Sequence, residues 1–323
     1  MSADLNYLGG WRLKALILSI VAATAGYLAF SLWGGWQDVV AAFVLIGISG
    51  TAIALAMSLV NYGLRFVRWQ MYLAQLGHRV DWLPSLRIYL SGFALTTTPG
   101  KAGEAFRGVL LKQRNVPFPA TFAAFVSERL SDLVAVVLLT LLGLSQYPQA
   151  RGIVLAGVVG IVVVLICLSS QTVLDKLHGW ASERDSKLMA FIAHTTNMLG
   201  DARRCHSPGL LAMATLISVV AWGAEALAFY WVLSWLGADI SLTFAVFVYA
   251  LSMLAGALSF LPGGLGGAEA VMISLLVLKG MATPAAVAAT VFIRLATLWF
   301  AVVIGLVALI KSRHGEKLES KAA

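Results

Sequence analysis

The sequence predicts an all-α integral membrane protein of about six spanning helices, with two oppositely oriented broken-helix hairpins in an inverted repeat. Three observations predict it. Hydrophobic residues make up 60% of the 323 and charged residues only 12%, at a mean hydropathy of +0.87, whereas a soluble domain carries about 25% charged residues. Apolar runs long enough to span, roughly 20 residues, recur along the chain. A polar block also occurs twice. Its first copy is Thr98-Pro99-Gly100-Lys101-Ala102-Gly103-Glu104, with Pro119 fifteen residues after the glutamate and Arg129 ten residues after that. Its second copy is Leu261-Pro262-Gly263-Gly264-Leu265-Gly266-Gly267-Ala268-Glu269, followed at the same two distances by Pro284 and Arg294.

The expected spans are 13–33, 39–60, 119–144, 151–170, 209–236 and 284–310. Between them, 83–113 reads as a helix-break-helix hairpin: its first arm ends at Thr98-Pro99, and its second carries Glu104, Arg107 and Lys112 and is too short to cross. Residues 242–279 form the matching hairpin, although 242–261 and 266–279 are apolar enough to be two full spans. Repeat 1 is then 39–144 and repeat 2 is 209–310. A linker over 171–208 joins them, with Leu188, Phe191, Ile192, Thr195 and Leu199 on one face of an amphipathic helix. A small soluble cap is the alternative reading of that linker.

Charge sets the orientation. Arg65, Arg68, Arg79 and Arg87, then Lys101, Arg107, Lys112 and Arg114, then Lys176, Arg184, Lys187, Arg203 and Arg204, then Lys311, Arg313 and Lys317 all fall on one side if both termini are cytoplasmic. The first hairpin then enters from the cytoplasm and the second from outside. The net charge of +8 is accounted for by these loops and is no sign of nucleic-acid binding. The first apolar run lacks a small-residue cleavage site and reads as a span, not a signal peptide. Cys167 and Cys205 make no disulfide framework, and the five histidines have no metal-ligand spacing.

Pro and Gly inside apolar sequence break helices and free backbone groups that protein, water or ligand must satisfy. The predicted breaks are Pro99, Gly100 and Gly103 in the first copy and Pro262, Gly263 and Gly266 in the second. The helix that follows each break points its N-terminal amides at the break and favours an anion there. Glu104 and Glu269 suit such a first turn, so a purely structural cap is one reading of both. Arg129 and Arg294 lie inside spans, where an unpaired arginine costs about 2.5 to 3.5 kcal/mol or more. The equal spacing makes Glu104–Arg129 and Glu269–Arg294 the expected pairs, either as pins between hairpin and helix or as a phosphate site whose arginines exchange partners.

The first copy is richer. Arg107 lies one turn from Glu104, and Glu128 and Asp132 flank Arg129, where the second copy has Ile293 and Thr297. That acidic asymmetry points to a coupling site on the cytoplasmic half. Glu225, in the fifth span, is a further intramembrane carboxylate, read either as a proton acceptor or as a hydrogen-bond partner of a neighbouring helix. Arg65 reads equally as interfacial anchor or headgroup collector, and Arg68 and Trp69 read as interfacial anchors. Trp11, Trp33, Trp36, Trp82 and Trp235 also fall near span ends, as an aromatic belt would.

Pro99-Gly100-Lys101-Ala102-Gly103-Glu104-Ala105-Phe106-Arg107 with Ser127-Glu128-Arg129-Leu130-Ser131-Asp132 resembles the first motif pair of the flippase-like transmembrane region of lysylphosphatidylglycerol synthases. Leu261 to Glu269 and Arg294-Leu295 resemble that family's second block. The resemblance covers about residues 10–311 and implies a stand-alone membrane member without the aminoacyl-transferase domain. It implies lipid translocation in a bacterial inner membrane, in a family whose members are associated with hopanoid or polyprenyl-lipid pathways. The expected activity is translocation of an anionic lipid, phospholipid or polyprenyl phosphate, by alternating access. The expected partners are that lipid and the bilayer, with a second copy of the chain and lipid-synthesis enzymes as further candidates, and with no nucleic acid or cofactor. A membrane-embedded enzyme using Glu128 and Asp132 on lipid phosphate, or a structural assembly factor for a lipid-synthesis complex, is the alternative.

Overall fold

A chain in hydrocarbon must satisfy its own backbone N–H and C=O groups, and long apolar runs do so as helices. The computed structural model of the protein describes residues 36–97, 107–144, 170–183, 202–259 and 261–322, with scattered positions between 152 and 196. Every regular element among them is helical. The elements are α1 (Trp36–Gln75), α2 (Trp82–Ser91), a 3-10 turn (Gly92–Leu95), α3 (Arg107–Lys112), α4 (Phe118–Leu144), α5 (Gln171–Ser182), α6 (Pro208–Trp235), α7 (Leu242–Leu258), α8 (Gly267–Leu278), α9 (Thr283–Arg294), a π-helical turn (Leu295–Trp299) and α10 (Phe300–Ala322).

Among the described residues, three helical stretches are long and apolar enough to cross a membrane: Gln37–Gln75, Pro208–Trp235 and Thr283–Lys311. The 27-residue α4 also has the length, but Glu128, Arg129 and Asp132 interrupt its apolar sequence. Outward-facing residues such as Ile48 (91% exposed) and Leu278 (82%) are large and apolar, as a lipid-facing surface requires. The expected spans 13–33 and 151–170, the amphipathic face at 188–199, and Pro99, Gly100, Gly103 and Glu104 lie outside the described residues or at scattered positions among them.

The expected end of a span at residue 60 is corrected. Helix α1 runs on to Gln75, 40 residues in all, or roughly 60 Å at 1.5 Å per residue. Gly47 (φ 69°) breaks its path near the start. The helix continues because its polar positions Ser58, Asn61, Arg65, Arg68 and Tyr72 fall on one face that is buried in the bundle.

Packing crosses between the two halves of the chain. Helices α1 and α6 pack along each other, α2 and the 3-10 turn pack on α10, and α7 packs on α4. One apolar core gathers Phe229, Phe244, Phe247 and Phe292. A second gathers Tyr62, Phe66, Trp69, Tyr89 and Phe93 around α1 and α2. At Gly305 of α10 the backbone of Phe93 and Ala94 comes so close that a Cβ would overlap it.

The two halves also keep a common register. Helices α1 and α6 are each followed by a glycine of positive φ, Gly77 (87°) and Gly237 (74°), and α2 and α7 begin five residues beyond them. This constant offset of 160 residues lays Tyr62 on Trp222, Arg65 on Glu225 and Tyr89 on Tyr249. Asn115 (φ 60°) and Gly280 (φ 98°) precede α4 and α9 in the same way. There the offset is 165, which lays Arg129 on Arg294 and Asp132 on Thr297.

Candidate functional site

The second polar block makes a sharp turn. Gly263, Gly264 and Gly266 have φ of 64°, 69° and 87°, a region that side chains with a Cβ rarely adopt. Gly264 also presses on Gly256 of α7, where an added Cβ would lie 3.0 Å from Cα. Helix α8 starts directly after this turn, and Glu269 in its first turn accepts from the Gly266 N–H at 2.7 Å through Oε2. Its Oε1 accepts from Arg294 Nε at 2.6 Å. Arg294 Nη2 donates to the Gly263 carbonyl at 2.8 Å. The expected Glu269–Arg294 pair is therefore present, and Glu269 is also a cap. One guanidinium on α9 holds both the broken backbone and the helix that follows it.

The first half builds a denser centre on α4. Asp132 faces Arg68 Nη1 at 2.6 Å, Arg129 Nη2 at 3.3 Å and Arg65 Nη2 at 3.4 Å. Trp222 of α6 donates its indole N–H to the same carboxylate at 3.1 Å, and Ser218 bonds Arg68. Glu128 takes Arg107 at 3.1 Å and lies 3.8 Å from Arg68. The Arg107 guanidinium lies over Trp69 and Tyr89, 4.7 and 4.8 Å from their ring centroids. Arg129 thus meets Asp132 one turn along its own helix; its expected partner Glu104 lies outside the described residues.

A cavity of about 400 Å³ joins the two centres. Arg65, Arg129, Arg294, Asp132 and Glu225 line it, among walls that include Phe93, Trp222, Leu254 and Leu298. Glu225 accepts from the Tyr249 hydroxyl at 2.7 Å and is 4% exposed. Thr96, directly after the 3-10 turn Gly92–Leu95, and Gly263, in the turn before α8, line the same space. Equivalent positions are bonded across the halves, though through different acceptors: Tyr62 donates to the Thr297 backbone carbonyl, and Trp222 donates to the Asp132 carboxylate. The π-helical turn after Arg294 presents the Ala296 and Thr297 carbonyls to Ser58 and Tyr62.

The family model of the lysylphosphatidylglycerol synthase transmembrane region matches residues 15–305. The chain belongs to this family. It is 24% identical to the UPF0104 membrane protein PH1989 of Pyrococcus horikoshii over 93% of this chain and 98% of that protein. A UPF0104 membrane protein of Methanothermobacter thermautotrophicus is 25% identical over 86% of this chain and 88% of its own length. Glycosyltransferase AglD of Haloferax volcanii is 34% identical over 33% of this chain and 16% of that protein.

For this member of the lysylphosphatidylglycerol synthase family, one sequence expectation is corrected. Arg68 and Trp69 are not interfacial anchors: both are 0% exposed. Arg68 binds Asp132 and Trp69 carries Arg107, so burial here brings each a partner. Tyr62, Ser218, Trp222 and Tyr249 also join the centre, and none is among the residues expected there from sequence. The recurrence of Ser58, Asn61, Arg65, Arg68 and Tyr72 every three or four residues was the available signal, since a purely lipid-facing helix has no use for a polar stripe.

Proposed function

We propose that the protein moves a lipid with an anionic headgroup between membrane leaflets, with the headgroup passing through the cavity lined by Arg65, Arg129 and Arg294. The observation that carries the reading is the convergence of three guanidinium groups from α1, α4 and α9 on one partly open cavity with aromatic and aliphatic walls. A guanidinium forks onto phosphate through paired N–H donors, and the low dielectric of such a space strengthens that attraction. Phospholipids and polyprenyl phosphates share this chemistry. In the loaded state the phosphate takes over donors that now serve Asp132, Glu269 and the Gly263 carbonyl, which loosens the hold on the second break.

The alternating-access part of the reading rests on an inverted repeat, 39–144 and 209–310, whose hairpins 83–113 and 242–279 enter from opposite faces. Three features support it: the matched register of the two halves, at an offset of 160 and then 165 residues, the exchanged packing of α2 on α10 and α7 on α4, and the paired bonds Tyr62–Thr297 and Trp222–Asp132. Broken helices meeting at a shared site are a recurrent transporter plan. The proposed setting is a bacterial inner membrane with both termini cytoplasmic.

The name of the AglD relative favours a second reading, an enzyme acting on a lipid-linked phosphate. Native mass spectrometry of the purified protein with its co-purified lipids tests both. Translocation predicts an intact anionic lipid that is lost from Arg65→Ala and Arg129→Ala. Neutral lipids alone would contradict it, and a chemically altered lipid after incubation would favour the enzyme.

A further inference from the structure

We propose that the cavity reads a hydroxyl group beside the phosphate of its cargo, through Asp132 and Thr96, and so selects lipids whose phosphate is esterified to a glycerol or a sugar. The proposal rests on the lipid-translocation reading and narrows the class of headgroup carried.

A cavity that receives a ligand must offer it polar atoms that the protein has not already engaged. Most of the neutral polar side chains lining this one are engaged. Tyr62 donates to the Thr297 carbonyl, Tyr249 to Glu225, Trp222 to Asp132 Oδ1, and Thr297 Oγ1 to the Ile293 carbonyl. Two lining residues differ. Asp132 and Thr96 are 6% and 8% exposed, and among the described residues neither Asp132 Oδ2 nor Thr96 Oγ1 has a hydrogen-bond partner. The hydrogen bonds to the carboxylate, from Arg68 and Trp222, both go to Oδ1. Arg129 and Arg65 approach Oδ2 only as ion pairs, at 3.3 and 3.4 Å.

Arg65 ties the two residues together. Beside its contact with Asp132, its guanidinium lies over the Phe93 ring, 5.9 Å from the centroid. The Phe93 carbonyl accepts the Thr96 N–H at 3.2 Å, so Thr96 follows one turn after the ring on which Arg65 rests. A headgroup whose phosphate rests on Arg65 thus shares the cavity with an acceptor on α4 and a hydroxyl beyond the 3-10 turn.

Loading sharpens the need for a donor. A phosphate that draws Arg65 and Arg129 toward itself takes two cations from Oδ2, and a buried carboxylate oxygen left without a donor is unfavourable. A hydroxyl on the same headgroup replaces them with a charge-assisted O–H···O bond. The Thr96 hydroxyl both donates and accepts, so it suits a second hydroxyl or a phosphate oxygen. A phosphate esterified to a simple alkyl group brings no such donor. Glycerol and sugar headgroups share this chemistry, the first on a glycerophospholipid and the second on a polyprenyl chain.

Leaflet exchange in vesicles reconstituted with the full-length protein tests the assignment with charge-matched pairs of tail-labelled fluorescent lipids. One pair is phosphatidylglycerol and phosphatidylethanol; the other is polyprenyl glucosyl phosphate and polyprenyl methyl phosphate. In whichever pair the protein carries, the hydroxylated member should exchange about tenfold faster or more, as one hydrogen bond to a charged group requires, and the pair that shows it identifies the lipid class. Thr96→Val keeps the shape and removes the hydroxyl. It should lower that rate ratio about threefold or more, and should leave the thermal midpoint unchanged or raised because an unpartnered buried hydroxyl is removed. Equal rates within an exchanged pair, an unchanged ratio in Thr96→Val, or a lowered midpoint in that variant would each overturn the proposal. Exchange of both pairs at the protein-free rate overturns the translocation reading instead. The site is then decided in detergent, where dioctanoyl phosphatidylglycerol should raise the wild-type thermal midpoint more than dioctanoyl phosphatidylethanol does; equal shifts overturn it.

Discussion

Arg68 of α1 and Asp132 of α4, 64 residues apart in sequence, meet at 2.6 Å with the arginine side chain fully enclosed. Breaking a buried pair from one side leaves an uncompensated charge and costs about 3–5 kcal/mol. Arg68→Met should therefore lower the thermal midpoint in detergent sharply, and Arg68→Met with Asp132→Asn should recover part of the loss. Additive effects of the two changes would contradict the pairing.

The Arg294 clamp depends on a planar fork, with Nε on Glu269 and Nη2 on the Gly263 carbonyl. A lysine keeps the charge but offers a single nitrogen. Arg294→Lys should destabilise the protein by about 1.5–3 kcal/mol, the range for a lost charged hydrogen bond, as measured by thermal denaturation. Glu269→Gln should cost more, about 3–5 kcal/mol, because its amide oxygen can still cap Gly266 but the buried Arg294 charge is left uncompensated.

Two glycines of long helices should respond oppositely to alanine. At Gly305 an added Cβ overlaps the backbone of Phe93 and Ala94, so overpacking should cost about 1–3 kcal/mol or more. At Gly63, inside α1, nothing lies within 4 Å of the added Cβ. Gly63→Ala should stabilise by up to about 1 kcal/mol through helix propensity. Thermal midpoints of the two variants check both signs.

His206, in the 3-10 turn before α6, has Nε2 3.3 Å from Ser127 Oγ, and burial lowers its pKa below the ordinary 6.5. The folded state then binds its proton less readily than the unfolded chain does. The stability this provides is complete above pH 6.5 and is lost as pH falls through the lower folded value. Thermal midpoints should drop on acidification more steeply in the wild type than in His206→Gln; equal slopes would contradict this.

The inverted repeat predicts that Arg114 and Lys279, exposed residues at equivalent places beside Asn115 and Gly280, lie on opposite sides of the membrane. Single cysteines there should react with an impermeant thiol reagent from opposite faces of oriented vesicles. Reaction from one shared face would remove the inverted topology.

Helix positions were legible in the sequence because length and apolarity decide them in a bilayer. The expected 119–144, 209–236 and 242–261 fall close to α4, α6 and α7. The Glu269–Arg294 pair was legible because a charge within an apolar run demands a partner, and the spacing named it. Arg68 was not, because hydropathy cannot tell a helix leaving the membrane from one turning a polar face into a bundle. Tyr62, Trp222 and Tyr249 were hidden for a related reason: aromatic residues carry no charge to flag them, and their hydrogen bonds join distant parts of the chain. The π-helical turn after Arg294 leaves no mark in composition.

The most direct test of the central claim is leaflet exchange of fluorescent phosphatidylglycerol or a polyprenyl phosphate in vesicles reconstituted with the protein. The wild type should speed exchange over protein-free vesicles, and folded Arg294→Lys and Arg129→Ala should each slow it about tenfold or more, as the loss of one charge-assisted phosphate contact requires. Exchange at the protein-free rate by the wild type, or at the wild-type rate by both variants, would contradict a headgroup path through the arginine-lined cavity.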